Sequence, residues 1–206
     1  IAQFKRKIKN KGKSRFSFVL TGGNSPIKLY KHLAKEKGIK WQNIDFFFGD
    51  ERCVNKNSKY SNINMCKKNL LNKIPILNSQ IYEINIKNKS PKKISQEYEK
   101  RIKKYFNGKK ISFDLTLLGV GNDGHIASLF ENNINKKNKK NVDFVIKKDF
   151  KRITLTIKCI NNSKNIFLWA PGKKKNNIIK NIIKDKKFMY PASYLKLKNN
   201  FLFYSY

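Results

Sequence analysis

The sequence predicts an α/β fold, a mostly parallel β-sheet with helices on both faces, in one domain spanning residues 1–206. Three observations carry this expectation. Strand-like and helix-like stretches alternate along the chain. The strand candidates are near-continuous apolar runs, as in strands buried on both faces. No internal repeat or clear linker interrupts the order. In such sheets ligands bind outside the carboxyl ends of the strands, so the residues that follow each strand candidate matter most.

The first strand candidate is "RFSFVLTGG" (15–23), which ends in a glycine turn. "SPIKLYKHLAKEKG" (25–38) then reads as a helix, with Ser25 as cap, Pro26 in the first turn and Gly38 as stop. Ile27, Leu29, Tyr30, Leu33 and Ala34 have helical spacing. "IDFFFGDE" (44–51) reads as one buried strand and "SNINMCKKNLLNKI" (61–74) as one helix. A short strand is expected at "IYEIN" (81–85). A helix is expected at "SPKKISQEYEKRIKKYF" (90–106), where Ile94, Tyr98, Ile102, Tyr105 and Phe106 share a face.

"FDLTLLGVG" (113–121) is the clearest strand. "ENNINKKNKKN" (131–141) reads as a polar loop. "RITLTIK" (152–158) alternates, with Ile153, Leu155 and Ile157 on one side, and predicts a half-buried strand. "NIFLWAPG" (165–172) is another buried strand. "KKNNIIKNIIKD" (174–185) places Ile178, Ile179, Ile182 and Ile183 on a helical stripe.

Charge is extreme: 47 Lys+Arg against 13 Asp+Glu, a formal net charge of +34. Such a value ordinarily suggests a polyanion as partner. Here the lysines occur in every segment and in company with asparagine, which an A+T-biased genome produces without selection for binding. The dispersion argues against nucleic acid as the partner. Anionic small ligands are attracted on either account, in a salt-sensitive way.

Cys53, Cys66 and Cys159 are odd in number and form no C-x-x-C pair, so neither a zinc site nor a disulfide framework is indicated. Reduced cysteines and a cytoplasmic location are expected. No run reaches the length of a membrane span. The chain begins at Ile1, which leaves open a preceding segment, a targeting peptide included.

Four strand ends carry suggestive residues. In "TGGNSP" (21–26), Gly22, Gly23 and Asn24 form a turn before a helix start, where free backbone N–H groups and the helix dipole suit an anion. In "FFFGDERC" (46–53), Asp50 can orient a base or a hydroxyl, and Arg52 can grip phosphate or carboxylate with its planar fork. Arg152 and the run Lys173, Lys174 and Lys175 supply cations at two more strand edges.

The fourth stretch, "LLGVGNDGHIASLF" (117–130), contains G-x-G-x-x-G behind a strand, the pattern of a dinucleotide-binding turn. That pattern needs a helix next, and an acidic residue at the end of a second strand. The chain supplies a polar loop instead, and Asp143 stands at the start of "VDFVI" (142–146). The glycines therefore read better as a loop presenting His125. An imidazole titrates near neutrality and suits general-base work on water. Asp123 and Asp50 are the two candidates to fix its tautomer.

Taken together, "TGGNSP", "FFFGDER", "YSNINM", "FDLTLLGVGNDGHIASLF", "RITLT" and "APGKKK" resemble, in order and spacing, the 6-phosphogluconolactonases. The related glucosamine-6-phosphate deaminases and isomerases share the glycine loop and D-G-H. The tail Ser128-Leu129-Phe130 and Arg52 favour the lactonases. The resemblance runs from about Phe16 to Ala192.

The resemblance implies a Rossmann-like sheet. It also implies hydrolysis of 6-phospho-D-glucono-1,5-lactone to 6-phosphogluconate in the oxidative pentose phosphate pathway, with no required metal or cofactor. It gives His125 the activation of water, Asp50 the place of a site carboxylate, and Gly22 and Gly23 the substrate-cradling loop. Arg52, Arg152 and a lysine after Gly172, best Lys175, take the phosphate.

It allows for a glucose-6-phosphate dehydrogenase as a fused or associated partner. Asn24-Ser25 in place of Ser-Thr, Glu131 in place of a proline, and the lack of the family's N-terminal strand and part of its first helix depart from the pattern. The alternatives are a deaminase or isomerase on the same scaffold, and a basic nucleic-acid-binding protein whose enzyme loops are relics.

Overall fold

A computed structural model describes residues 1–196 except Lys13, Asn88, Lys136 and Lys186, together with 201–204; for Lys174 and 201–204 it describes the backbone only. In chain order the elements are α1 (Ala2–Lys9), β1 (Phe16–Leu20), α2 (Ile27–Lys35), β2 (Ile44–Phe48), β3 (Asp50–Arg52), α3 (Asn62–Asn69) and α4 (Pro91–Tyr105). Then come β4 (Leu115–Gly119), β5 (Val142–Ile146), β6 (Lys151–Leu155), α5 (Ile157–Asn161), β7 (Ile166–Trp169), α6 (Asn176–Lys184) and β8 (Phe201–Tyr204).

Five strands form a sheet in the order β2-β1-β4-β7-β8, and every neighbouring pair is parallel. All residues of β1 and β2 are buried, because both faces of the sheet are covered. On one face Phe18 and Phe46 pack with Phe4 of α1 and with Trp41. On the other, Phe47 packs against Tyr82, Tyr105 of α4 and Phe113. Each fully buried aromatic contributes about 1.5–3 kcal/mol of apolar burial. The fold class expected from the sequence is the one observed.

A second sheet was not legible in the sequence. β3, β6 and β5 form an antiparallel, three-stranded sheet in the order β3-β6-β5. The run 44–51, expected as one strand, divides at Gly49. The Gly49 N–H donates to the Leu20 carbonyl of β1 (3.0 Å), and its carbonyl accepts from Leu155 N–H of β6 (2.8 Å). One residue thus hands the chain from one sheet to the other, and places Asp50 and Arg52 at the junction.

Other expectations are corrected in detail. Ser25 does not cap α2; the N-cap is Pro26, with no side-chain bond, and the helix ends at Lys35 rather than Gly38. The expected helix 61–74 is α3 followed by a 3-10 turn at Leu71–Lys73. The expected strand 81–85 reduces to a single bridge, Ile81 to Phe46. Alternation misread 152–158: Arg152 through Leu155 are all buried, and Ile157 belongs to α5. Ile183 leaves the buried stripe of α6 and is exposed.

Two buried tyrosines mark where the parallel strands end. Tyr30 of α2 accepts from Thr21 N–H (2.9 Å) and donates to the Thr21 carbonyl (2.8 Å). Tyr98 of α4 does the same with Phe48 (2.9 and 3.1 Å). Burial pushes both phenols above their ordinary pKa, so both remain protonated donors. Each hydroxyl satisfies the last backbone groups before a site loop, and the chain is free to leave the sheet there.

Candidate active site

The loop after β4 is a tight turn, and among the described residues only a 3-10 turn at Glu131–Asn133, no α-helix, lies between it and β5. Gly121 N–H donates to the His125 carbonyl (2.8 Å), and Ala192 N–H donates to the Gly124 carbonyl (3.0 Å). A Cβ at Gly121 would lie 2.0 Å from His125 Nδ1 and 2.5 Å from Asp123 Oδ1. Glycine is therefore required for these two side chains to meet. Gly124 has φ +77°, and a Cβ there would meet the Tyr190 ring at 2.8 Å.

Of the two candidate partners for His125, Asp123 makes the bond: its Oδ1 stands 2.5 Å from Nδ1 and also accepts the His125 backbone N–H at 3.2 Å. Burial raises the Asp123 pKa, but the hydrogen bond and charge of His125 outweigh it and hold the carboxyl below its usual range. An ionised carboxylate only accepts, so Nδ1 carries the proton and the neutral ring keeps its lone pair on Nε2. The ring also packs on Phe130, with centroids 4.7 Å apart.

Asp50 is buried and does not bond His125. Its Oδ1 accepts from Asn62 Nδ2 (3.0 Å) and its Oδ2 from Ser128 Oγ (2.7 Å). The neighbouring Glu51 faces the other way and caps α3. It accepts from the N–H groups of Asn62 and Ile63 (both 2.8 Å) and from Ser61 Oγ (2.9 Å). Burial raises the Glu51 carboxyl above its usual range despite these bonds. A carboxylate at a helix N-terminus also meets the positive end of the dipole.

Arg52 donates through Nη1 to the Tyr60 carbonyl (2.8 Å), and its buried Nε finds no acceptor among the described residues. Arg152 is its direct cross-strand partner in the β3-β6 ladder. Like charges at directly opposed positions of a ladder are destabilising unless an anion offsets them. Arg152 is itself buried, ion-paired with Asp149, and its Nε is likewise without an acceptor among the described residues. Lys175 Nζ donates to the Val120 carbonyl (2.8 Å) and Asn122 Oδ1 (2.6 Å), which ties α6 to the histidine loop. Burial lowers its pKa.

These groups surround a cleft of about 210 Å³ at the carboxyl end of the parallel sheet. Gly22, Gly23, Asp50, Arg52, His125 and Lys175 line it. Asp123 reaches it through His125. Asn24 and Arg152 do not line it: Asn24 is exposed, and Arg152 is buried opposite Arg52 on the neighbouring strand β6. A larger groove of about 580 Å³, beside Phe4, Leu29, Leu33 and Trp169, is apolar and lacks a paired acid and base.

The residue reading missed Asn62, a lining residue, and Ser128; both are common polar types, and their only signal was their place inside "YSNINM" and "HIASLF". Ser25 also lines the cleft, and its carbonyl accepts from Trp169 Nε1 of β7 (2.8 Å).

Comparison with known proteins agrees with this architecture. The family described as "Glucosamine-6-phosphate isomerases/6-phosphogluconolactonase" matches residues 1–203. The chain is 31% identical over 180 residues to the 6-phosphogluconolactonase of Thermotoga maritima, covering 84% of this chain and 77% of that protein. It is 33% identical over 188 residues to that of Haemophilus influenzae, covering 87% and 79%.

The crystal structure of the Thermotoga maritima 6-phosphogluconolactonase superposes with a TM-score of 0.87 at 28% identity, covering 99% of this chain and 91% of that one. A Plasmodium vivax 6-phosphogluconolactonase superposes at 0.85 and 26%, covering 99% and 84%. With its parallel sheet, its glycine loop and this match over nearly its whole length, the chain belongs to the glucosamine-6-phosphate isomerase/6-phosphogluconolactonase family of enzymes.

Proposed function

We propose that the protein hydrolyses 6-phospho-D-glucono-1,5-lactone to 6-phosphogluconate. The observation that carries this reading is the convergence of the Asp123–His125 pair with Arg52 and Lys175 on one small polar cleft. That set supplies a base for water and cations for a phosphate, and the named relatives are lactonases.

In this mechanism the phosphate binds Arg52 and Lys175, and Arg152 adds positive charge from the neighbouring strand. Water attacks the lactone carbonyl carbon while His125 Nε2 takes its proton. The tetrahedral intermediate collapses with cleavage of the bond to the ring oxygen, and the imidazolium returns the proton to that oxygen as the ring opens. Asp123 stabilises the imidazolium and holds the ring in its tautomer. The Gly22-Gly23 turn lets the substrate approach the backbone closely. No resident metal or cofactor takes part. The same reading puts the enzyme in the cytoplasm beside the glucose-6-phosphate dehydrogenase that makes its substrate, fused or associated.

The test is lactone hydrolysis by the purified chain, measured above the spontaneous reaction. Release of ammonia from glucosamine 6-phosphate, without lactone hydrolysis, would instead establish the deaminase alternative.

A further inference from the structure

Asp50 is a buried carboxylate in the cleft held by neutral donors alone. Ser128 Oγ donates to Oδ2 at 2.7 Å from the loop behind His125. Asn62 Nδ2, on the first residue of α3, donates to Oδ1 at 3.0 Å and to the Asp50 carbonyl at 3.1 Å. Both donors are anchored from behind. The Asn62 and Ile63 N–H groups rest on Glu51, and the Ser128 N–H on Thr154 Oγ1 (3.2 Å).

The Asn62 amide has a fixed orientation, because an ionised carboxylate offers its Nδ2 only acceptors. It also lies so close to the backbone that a Cβ on Gly22 would stand 2.0 Å from its Oδ1. That oxygen is buried without a partner among the described residues. In this orientation Nδ2 makes both bonds to Asp50.

Each carboxylate oxygen has room for two hydrogen bonds. One site on each is filled by Asn62 or Ser128, and Asp50 lines the cleft. Two acceptors about one carboxylate width apart, unable to rotate, match two adjacent hydroxyls of a polyol. We propose that Asn62 and Ser128 are positioning residues that lock Asp50 as a double acceptor for neighbouring hydroxyls of the sugar chain. Asp50, rather than the phosphate-binding cations, then distinguishes one phosphorylated ligand from another. This inference rests on the sugar-phosphate reading above.

The test measures calorimetric affinity for two probes, 6-phosphogluconate and inorganic phosphate, in the native chain and in Asn62→Ala, Ser128→Ala, Asp50→Asn and the two double variants. Asn62→Ala or Ser128→Ala is expected to weaken 6-phosphogluconate about tenfold, and to do little further harm in the Asp50→Asn background. Phosphate affinity stays within about twofold in each, while Arg52→Ala weakens both probes by roughly tenfold or more.

Equal losses for both probes, or the full loss persisting when Asp50 is already Asn, would overturn the clamp and leave a merely structural role. If the native chain binds 6-phosphogluconate no better than phosphate, the sugar-phosphate reading itself fails, and the inference with it.

Discussion

At the amino end of the parallel sheet, Asp114 accepts from Lys11 (2.7 Å), Lys164 (2.9 Å) and the Ser17 N–H (2.9 Å). At the carboxyl end, Asp50 accepts from Asn62 and Ser128, neither of them charged. Both carboxylates are buried. Asp45, also at the amino end, is treated like Asp114: it is gripped by Arg15 and accepts from Tyr105 (3.0 Å). Cations neutralise the carboxylates of the first end, whereas at the second neutral donors hold both Asp50 and Glu51. The amino end pairs its carboxylates with cations, and under the proposed function the carboxyl end keeps Asp50 for the ligand.

That contrast can be broken from either side. His125→Ala has the largest expected effect. Lactone turnover should fall by about 10²–10⁴-fold, as for loss of a general base, while thermal unfolding shows an intact fold. Near-normal turnover in this variant would remove His125 from the chemistry.

Asp114→Asn should do the reverse. The buried Ser17 N–H and two lysines lose a charged acceptor, and stability should drop by about 1–3 kcal/mol, with kcat/KM unchanged. The pH dependence sharpens the point. Burial alone would raise the Asp114 carboxyl, but the bonds from Lys11, Ser17 and Lys164 hold it below its usual range. Its stabilisation is present above the unfolded value of about 3.9 and is lost as pH falls through the lowered one. Native and Asp114→Asn chains should therefore converge in stability on the acid side, measured by urea unfolding across pH. A difference that widens toward acid would contradict the ion-pair account.

The smallest effect expected is at the strand ends between these regions. Tyr30→Phe and Tyr98→Phe each remove one hydroxyl that serves two backbone groups. Each should cost about 0.5–1.5 kcal/mol and lower kcat/KM severalfold, since Thr21 and Phe48 immediately precede the site loops. Loss of stability with unchanged kinetics would show that the tyrosines serve the sheet alone.

Much of this was legible in residue order. Alternating apolar runs and helical stripes sufficed for the parallel sheet, because strands buried on both faces must be apolar throughout. The failed dinucleotide pattern sufficed to single out His125, since the polar run 131–141 cannot supply the required helix. The antiparallel sheet was hidden for a definite reason. Gly49 carries no pattern of its own, and β6 is buried on both faces, so Arg152 and Thr154 defeat the alternation rule.

The sequence by itself determined the fold class, most strands of the parallel sheet and the loops that line the cleft, because periodicity and glycine placement act locally. Only the tertiary structure decided between Asp123 and Asp50 as the partner of His125, set Arg152 opposite Arg52, and brought Asn62 and Ser128 onto Asp50. Those contacts span 12 and 78 residues for Asp50, and 100 positions separate Arg52 from Arg152. Such pairings are made by the packing of whole elements, and no local pattern records them.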